Sequence, residues 1–161
     1  MEADYDSPDA PSAASTPGLG GYWVVSALLL LWGLGYAVLI AEALFLLRPS
    51  DFDRLVSAGM ILPGYGDYVH HLPPWIVALT LVKGVTRIAG GLGLLLRRRW
   101  AVSMYGLSLV VACVIFSHGF LLDDRAAFEA PTQIGLDVLF FGVGVYAAYF
   151  AIAARFRGIL R

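Results

Sequence analysis

The sequence is poor in charge and nearly without cysteine. Charged residues make up 14% of the 161 positions, against roughly 25% in ordinary globular domains, which leaves little to clothe a water-exposed surface. The one cysteine, Cys113, excludes an internal disulfide and any cysteine-based metal cluster. Its place in an apolar block predicts a buried, inert thiol. No nucleophile–base arrangement, zinc motif, phosphate-binding loop or dinucleotide fingerprint occurs, so no catalytic, cofactor or metal residue is assigned and the reading leans away from an enzyme. The net charge of −1 gives no sign of nucleic-acid binding. No internal repeat is visible. The first twenty residues, rich in Ser, Pro, Ala and Gly and acidic at Glu2, Asp4, Asp6 and Asp9, lack the basic region of a signal peptide and read as a disordered acidic tail.

What is present is apolar. Hydrophobic residues are 59% of the chain, above the usual roughly 45–50%, and they gather in four blocks. Residues 22–47, 74–96, 100–122 and 132–154 are each long enough to cross a bilayer. The expected fold is all-α: an antiparallel four-helix transmembrane bundle occupying residues 21–161, with a short interfacial helix between spans one and two. That helix is expected from Ser50 and Asp53, spaced as a capping box, followed by Phe52, Leu55, Val56 and Met60; Pro63-Gly64-Tyr65-Gly66 ends it. Ala41-Glu42-Ala43 imitates a signal cleavage site, but the apolar block before it is too long for a signal core. Arg97-Arg98-Arg99 makes spans two and three a hairpin; as a topology anchor it could also meet anionic lipid headgroups. Gly33, Ala37 and Ala41 recur at spacing four and suit close helix contact. Asp137, Gly144, Ala148 and Ala151 share a face of span four.

Basic residues set the expected orientation. Arg97, Arg98, Arg99, Arg155, Arg157 and Arg161 fall on one side, and Arg48, Arg54 and Arg125 on the other. Six against three places both termini in the cytoplasm of a bacterial inner membrane.

Span two is the exception to the oily rule. Thr80, Lys83, Gly84, Arg87 and Gly91 lie on one helical face, and Leu81, Val85, Ile88, Leu92 and Leu95 on the other. Lys and Arg at a helix centre cost about 2.5–3.5 kcal/mol each, and eleven Ile, Val and Leu residues return about 3–7 kcal/mol together. The sums nearly cancel, so span two needs its polar face covered. Glu42 and Asp137 are the expected counter-ions. With His118 they complete an intramembrane polar set of Glu42, Lys83, Arg87, His118 and Asp137. Two readings of that set stay open: neutralising pairs that fix helix register, or a polar cavity open to the outer face that binds a small solute, an ion or protons. His70 and His71 are adjacent and point apart on any regular element, which argues against a shared metal. Asp123-Asp124 reads as a solvated loop start.

The stretches Tyr68…Leu72-Pro73-Pro74-Trp75, Gly90-Gly91-Leu92-Gly93-Leu94-Leu95-Leu96-Arg97-Arg98-Arg99-Trp100-Ala101 and Arg157-Gly158-Ile159-Leu160-Arg161 resemble a group of small bacterial inner-membrane proteins often labelled sugar transporters. In architecture the chain is more distantly similar to four-span, quinone-linked DoxX-like proteins. The resemblance covers residues 22–161 and implies a multi-pass inner-membrane protein without transferable catalytic residues. The expected role is a non-enzymatic accessory or small-solute-handling component. The alternatives are a proton- or ion-coupled transporter and a quinone-linked redox protein. Expected partners are the lipid bilayer and a second copy or another membrane protein; no nucleic acid and no cofactor are expected.

Overall fold

The computed structural model describes residues 19–122 and 129–161. The acidic tail up to residue 18 and the Asp123-Asp124 loop lie outside the described residues. Six α-helices account for most of the rest: α1 Leu19–Ala41, α2 Pro49–Ser57, α3 Tyr65–His70, α4 Pro74–Leu95, α5 Trp100–Leu121 and α6 Pro131–Phe156. No strand occurs among the described residues. Four segments are long and apolar enough to cross a membrane: Gly20–Leu46, Pro74–Leu95, Trp100–Leu121 and Pro131–Phe156. Each begins and ends within two residues of an expected span. The protein is an all-α, multi-pass membrane bundle with short helices between the first two spans.

Helix α4 is the inner member. It packs against α1 on one side and α5 on the other, and α5 packs against α6. Aromatic rings close the remaining seam between α1 and α6: Tyr22 stacks on Phe150, and Trp32 and Tyr36 both meet Phe140. Small residues make the α4 contacts possible. A methyl group on Gly91 would sit 2.8 Å from the Cα of Leu30, and one on Gly33 3.2 Å from the Arg87 backbone. One on Gly90 would meet the Tyr105 ring at 2.8 Å, and one on Gly93 the Ala101 methyl at 2.9 Å. Thus Gly91 serves α1 while Gly90 and Gly93 serve α5, as close helix approach in lipid requires. Ala37 approaches Gly84, so the Gly33–Ala37 strip does lie on α4.

The arginine-rich end is tied shut. The Tyr22 hydroxyl donates to the Leu94 carbonyl. After Phe156 the chain turns at Gly158, which takes a positive φ of 68°, and runs back along the α4–α5 turn. Arg161 N–H donates to Arg97 O at 2.7 Å, Arg99 N–H to Arg161 O at 3.2 Å, and Arg97 Nε to Ile159 O at 3.0 Å. Leu160, 2% exposed, enters the main apolar core beside Tyr22, Leu94 and Ala154. Arg97 takes a φ of 54°, a left-handed position usually given to glycine at a helix end, and these tail contacts hold it there.

The segment between α1 and α4 forms a small cap. Helix α1 runs into one π-helical turn, Glu42–Leu46. Helix α2 then starts two residues earlier than Ser50–Asp53 suggested. Pro49 occupies its first turn, where a fixed φ suits helix initiation, and the Asp51 carboxylate accepts from Arg48 N–H at 3.0 Å. Helix α3 was not anticipated; Gly64 starts it with a φ of 88°. Phe52, 5% exposed, packs with Ile61 and Val69 against Leu44, Leu47 and Tyr65. The apolar face of α2 is therefore covered by its own chain. Met60, expected on that face, is exposed.

Candidate functional site

Arg87 is the point where four helices meet. It projects from the middle of α4 and is only 2% exposed. Its guanidinium lies 4.1 Å from the centroid of Trp32 and 4.3 Å from that of Tyr36, both on α1. A methyl built on Gly144 of α6 would stand 3.6 Å from Nη2. Tyr105 of α5 and Asp137 of α6 lie within its electrostatic reach. Trp32 and Tyr36 are one turn apart on α1, as residues four apart must be, so the planar cation rests on both rings. Such cation–π contacts are worth about 2 kcal/mol or more where water is excluded. The Nε and Nη1 donors of Arg87 are buried without a hydrogen-bond acceptor, as is the hydroxyl of Tyr105.

Lys83, one turn before Arg87, lies with its Nζ 4.8 Å from the Tyr36 centroid. Lys83, Arg87 and Asp137 border one cavity of about 110 Å³, together with Thr80, Tyr36 and the aromatic rings of Phe116, Phe140 and Phe141. That is room for several water molecules. A second cavity of about 90 Å³ lies toward the cap, bordered by Tyr65, Tyr68 and His118. The two share Ile40, Thr80 and Ile115 as lining residues. The two cavities are neighbours, with Thr80 in the wall of both. Thr86, also buried, returns its hydroxyl to its own helix at Val82 O, 2.8 Å away.

No family model matches the chain, and no curated protein or solved structure matches it.

Three of the five expected site residues, Lys83, Arg87 and Asp137, come together at the first cavity. His118 stands at the second, with its ring edge-on to Trp75 at 4.7 Å. Glu42 joins neither cavity. It is exposed at the start of the π-helical turn that follows α1, on the same outward side as Val38 and Phe45, so the pairing expected of it with span two is not seen. The sequence held the signal: Glu42 is four residues after Val38 and one step off the Gly33–Ala37–Ala41 strip, which turns it away from α4. Cys113 is also exposed, not buried as expected. The buried face of α5 runs through Tyr105, Ser108 and Ala112, and one further residue rotates Cys113 outward by about 100°. His70 and His71 diverge: His70 packs against Phe52, while His71 Nδ1 donates to Asp67 O at 2.7 Å. Among the described residues no three His, Cys, Asp or Glu side chains gather as a metal site.

The sequence reading placed Gly144 on the Asp137 face but did not assign Trp32, Tyr36 or Tyr105 to the site. Two aromatics four apart beside a small-residue strip could have pointed to Trp32 and Tyr36, because both had to face the span packed on that strip.

Proposed function

We propose that this protein is a non-enzymatic, multi-pass component of a bacterial inner membrane that handles a small polar solute through the cavity around Lys83, Arg87 and Asp137. Both termini lie in the cytoplasm on this reading, since the arginine-rich end of the bundle is the one retained inside. The observation that carries it is that Lys83, Arg87 and Asp137 border one cavity. Charges that merely fix register need no open space between them, whereas a solute site does. Intramembrane ionisable groups facing a cavity mark solute, ion or proton pathways. Coupling to protons or ions is the transporter form of the same reading.

Reconstituted vesicles test this. A panel of small neutral, cationic and anionic solutes is offered to vesicles with and without the protein, alongside a thermal-shift screen of the same panel. The expected result is uptake or stabilisation by one class, lost in Lys83→Gln. Absence of any hit in both measurements removes the proposal.

One feature favours a quinone-linked alternative. An open, mostly apolar groove of about 440 Å³ runs along α5, bordered by Trp75, Cys113, Ser117 and His118. It would admit a flat ring with His118 as hydrogen-bond partner. Mass spectrometry of gently purified protein checks it: a co-purifying quinone supports the alternative, and its absence argues for the first reading.

A further inference from the structure

We propose that the arginine-rich end of the bundle is a docking surface for an anionic phospholipid whose headgroup carries two phosphates. The inference is independent of the cavity around Lys83, Arg87 and Asp137.

The strap makes the surface. Arg98 and Arg99 lie in the α4–α5 turn, while Arg155, Arg157 and Arg161 lie at the end of α6 and beyond it. Arg97 and Ile159 are 62 positions apart, yet the Nε of the first donates to the carbonyl of the second. The backbone bonds of Arg161 to Arg97 and Arg99 complete the join, so two arginine groups from distant stretches of chain share one surface. All five side chains are exposed. The carboxylate side chains of the described residues lie elsewhere: Glu42, Asp51, Asp53 and Asp67 belong to the cap, and Glu129 and Asp137 to the far end of α6. Exposed guanidiniums of one sign suit phosphate, which takes parallel N–H bonds from each.

Apolar neighbours select a lipid among phosphate compounds. Phe156, between Arg155 and Arg157, is 87% exposed, and Leu96 and Trp100, on either side of the arginine turn, are exposed as well. A soluble phosphate engages the guanidiniums alone, whereas a phospholipid also lays acyl chains beside these three side chains. Basic clusters next to a membrane span attract anionic headgroups, and an ammonium-bearing headgroup would meet like charge. Two joined groups favour two phosphates: once one group holds the first phosphate, the second is kept at high effective concentration beside the other group. A topology anchor needs charge on one side of the membrane, but it does not need the two groups fixed together.

The number of phosphates makes the test specific. The full chain in mild detergent is unfolded thermally with added cardiolipin, which carries two phosphates, or phosphatidylglycerol, which carries one, compared at equal lipid phosphate. Both are expected to raise the midpoint saturably, with half-saturation at about tenfold lower phosphate for cardiolipin. Phosphatidylethanolamine and soluble pyrophosphate should give little shift. Arg98→Gln/Arg99→Gln and Arg155→Gln/Arg157→Gln should each reduce cardiolipin to the level of phosphatidylglycerol. Arg48→Gln/Arg54→Gln, which takes the same charge from the cap, should leave the tenfold difference intact. Equal half-saturation by the two lipids on the unaltered chain, equal stabilisation by pyrophosphate, or the same loss in the cap variant would each overturn the inference. If an arginine pair at this end proves necessary for folding, the comparison of the two lipids on the unaltered chain decides.

Discussion

The two ends of this bundle are built on opposite principles. At the arginine-rich end, glycines and alanines let backbones touch: Gly91 lies on Leu30, Gly93 on Ala101, and Ala147, Ala151 and Ala154 are fully buried. The carboxyl-terminal tail then straps that end through Leu160 and three backbone-directed hydrogen bonds. At the other end the helices are spaced by rings and charged chains. Trp32, Tyr36, Phe116 and Phe140 hold α1, α5 and α6 apart, and the space between contains Lys83, Arg87 and Asp137. Both ends belong to the same four helices, so one sequence specifies tight packing and a cavity by changing side-chain volume along each helix. A rigid closed end gives the open end a fixed frame, because packed interiors deform little. Polar groups can then be held in lipid without collapse around them.

This contrast can be broken at several points. The largest difference should appear in chemical access. In a Cys113→Ser background, Thr80→Cys, in the wall of both cavities, should react with a membrane-impermeant maleimide, whereas Ser26→Cys, fully buried in the closed end, should not. Equal labelling of both would show that the ends do not differ. Next comes packing: Gly91→Val forces a side chain into the Leu30 backbone and should lower stability by about 3 kcal/mol, read as a shift in denaturant-induced unfolding. Gly142→Ala on α6, where an added methyl meets nothing within 4 Å, should change it by less than about 0.5 kcal/mol. Leu160→Ala should cost about 2 kcal/mol by emptying the strap's anchor, and the same unfolding assay reads it. The smallest effect belongs to Tyr105→Phe. Its hydroxyl is buried, 1% of the residue being exposed, and has no partner, so its removal should leave stability unchanged or raise it by about 1 kcal/mol. A clear loss would mean that the phenol directly supports Arg87.

Much of the architecture could be read from residue order alone. The four apolar blocks fix the number and length of the helices, because an unbroken backbone ladder is the simplest way to satisfy peptide groups in hydrocarbon. Within α4, period 3.6 places Thr80, Lys83, Gly84, Arg87 and Gly91 inward and Leu81, Val85, Ile88, Leu92 and Leu95 outward; the exposures of Leu81, Val85 and Leu92 follow that division, while Ile88 and Leu95 are half-buried. The Lys83–Arg87 pair also announced that this helix needed cover.

What the sequence by itself determined, then, is the helices and the faces they must bury, since both follow from local spacing. Which groups meet Arg87 was decided only by tertiary structure. The rotation of α1 about its axis brings Trp32 and Tyr36 onto the guanidinium and carries Glu42 away. Glycine contacts with α4 set that rotation, and these are long-range. The covered face of α2, the unanticipated α3 and the strap from Gly158 to Arg161 belong to the same class. Each is held by contacts between different elements, and spacing within one helix carries no information about which neighbour will lie across from it.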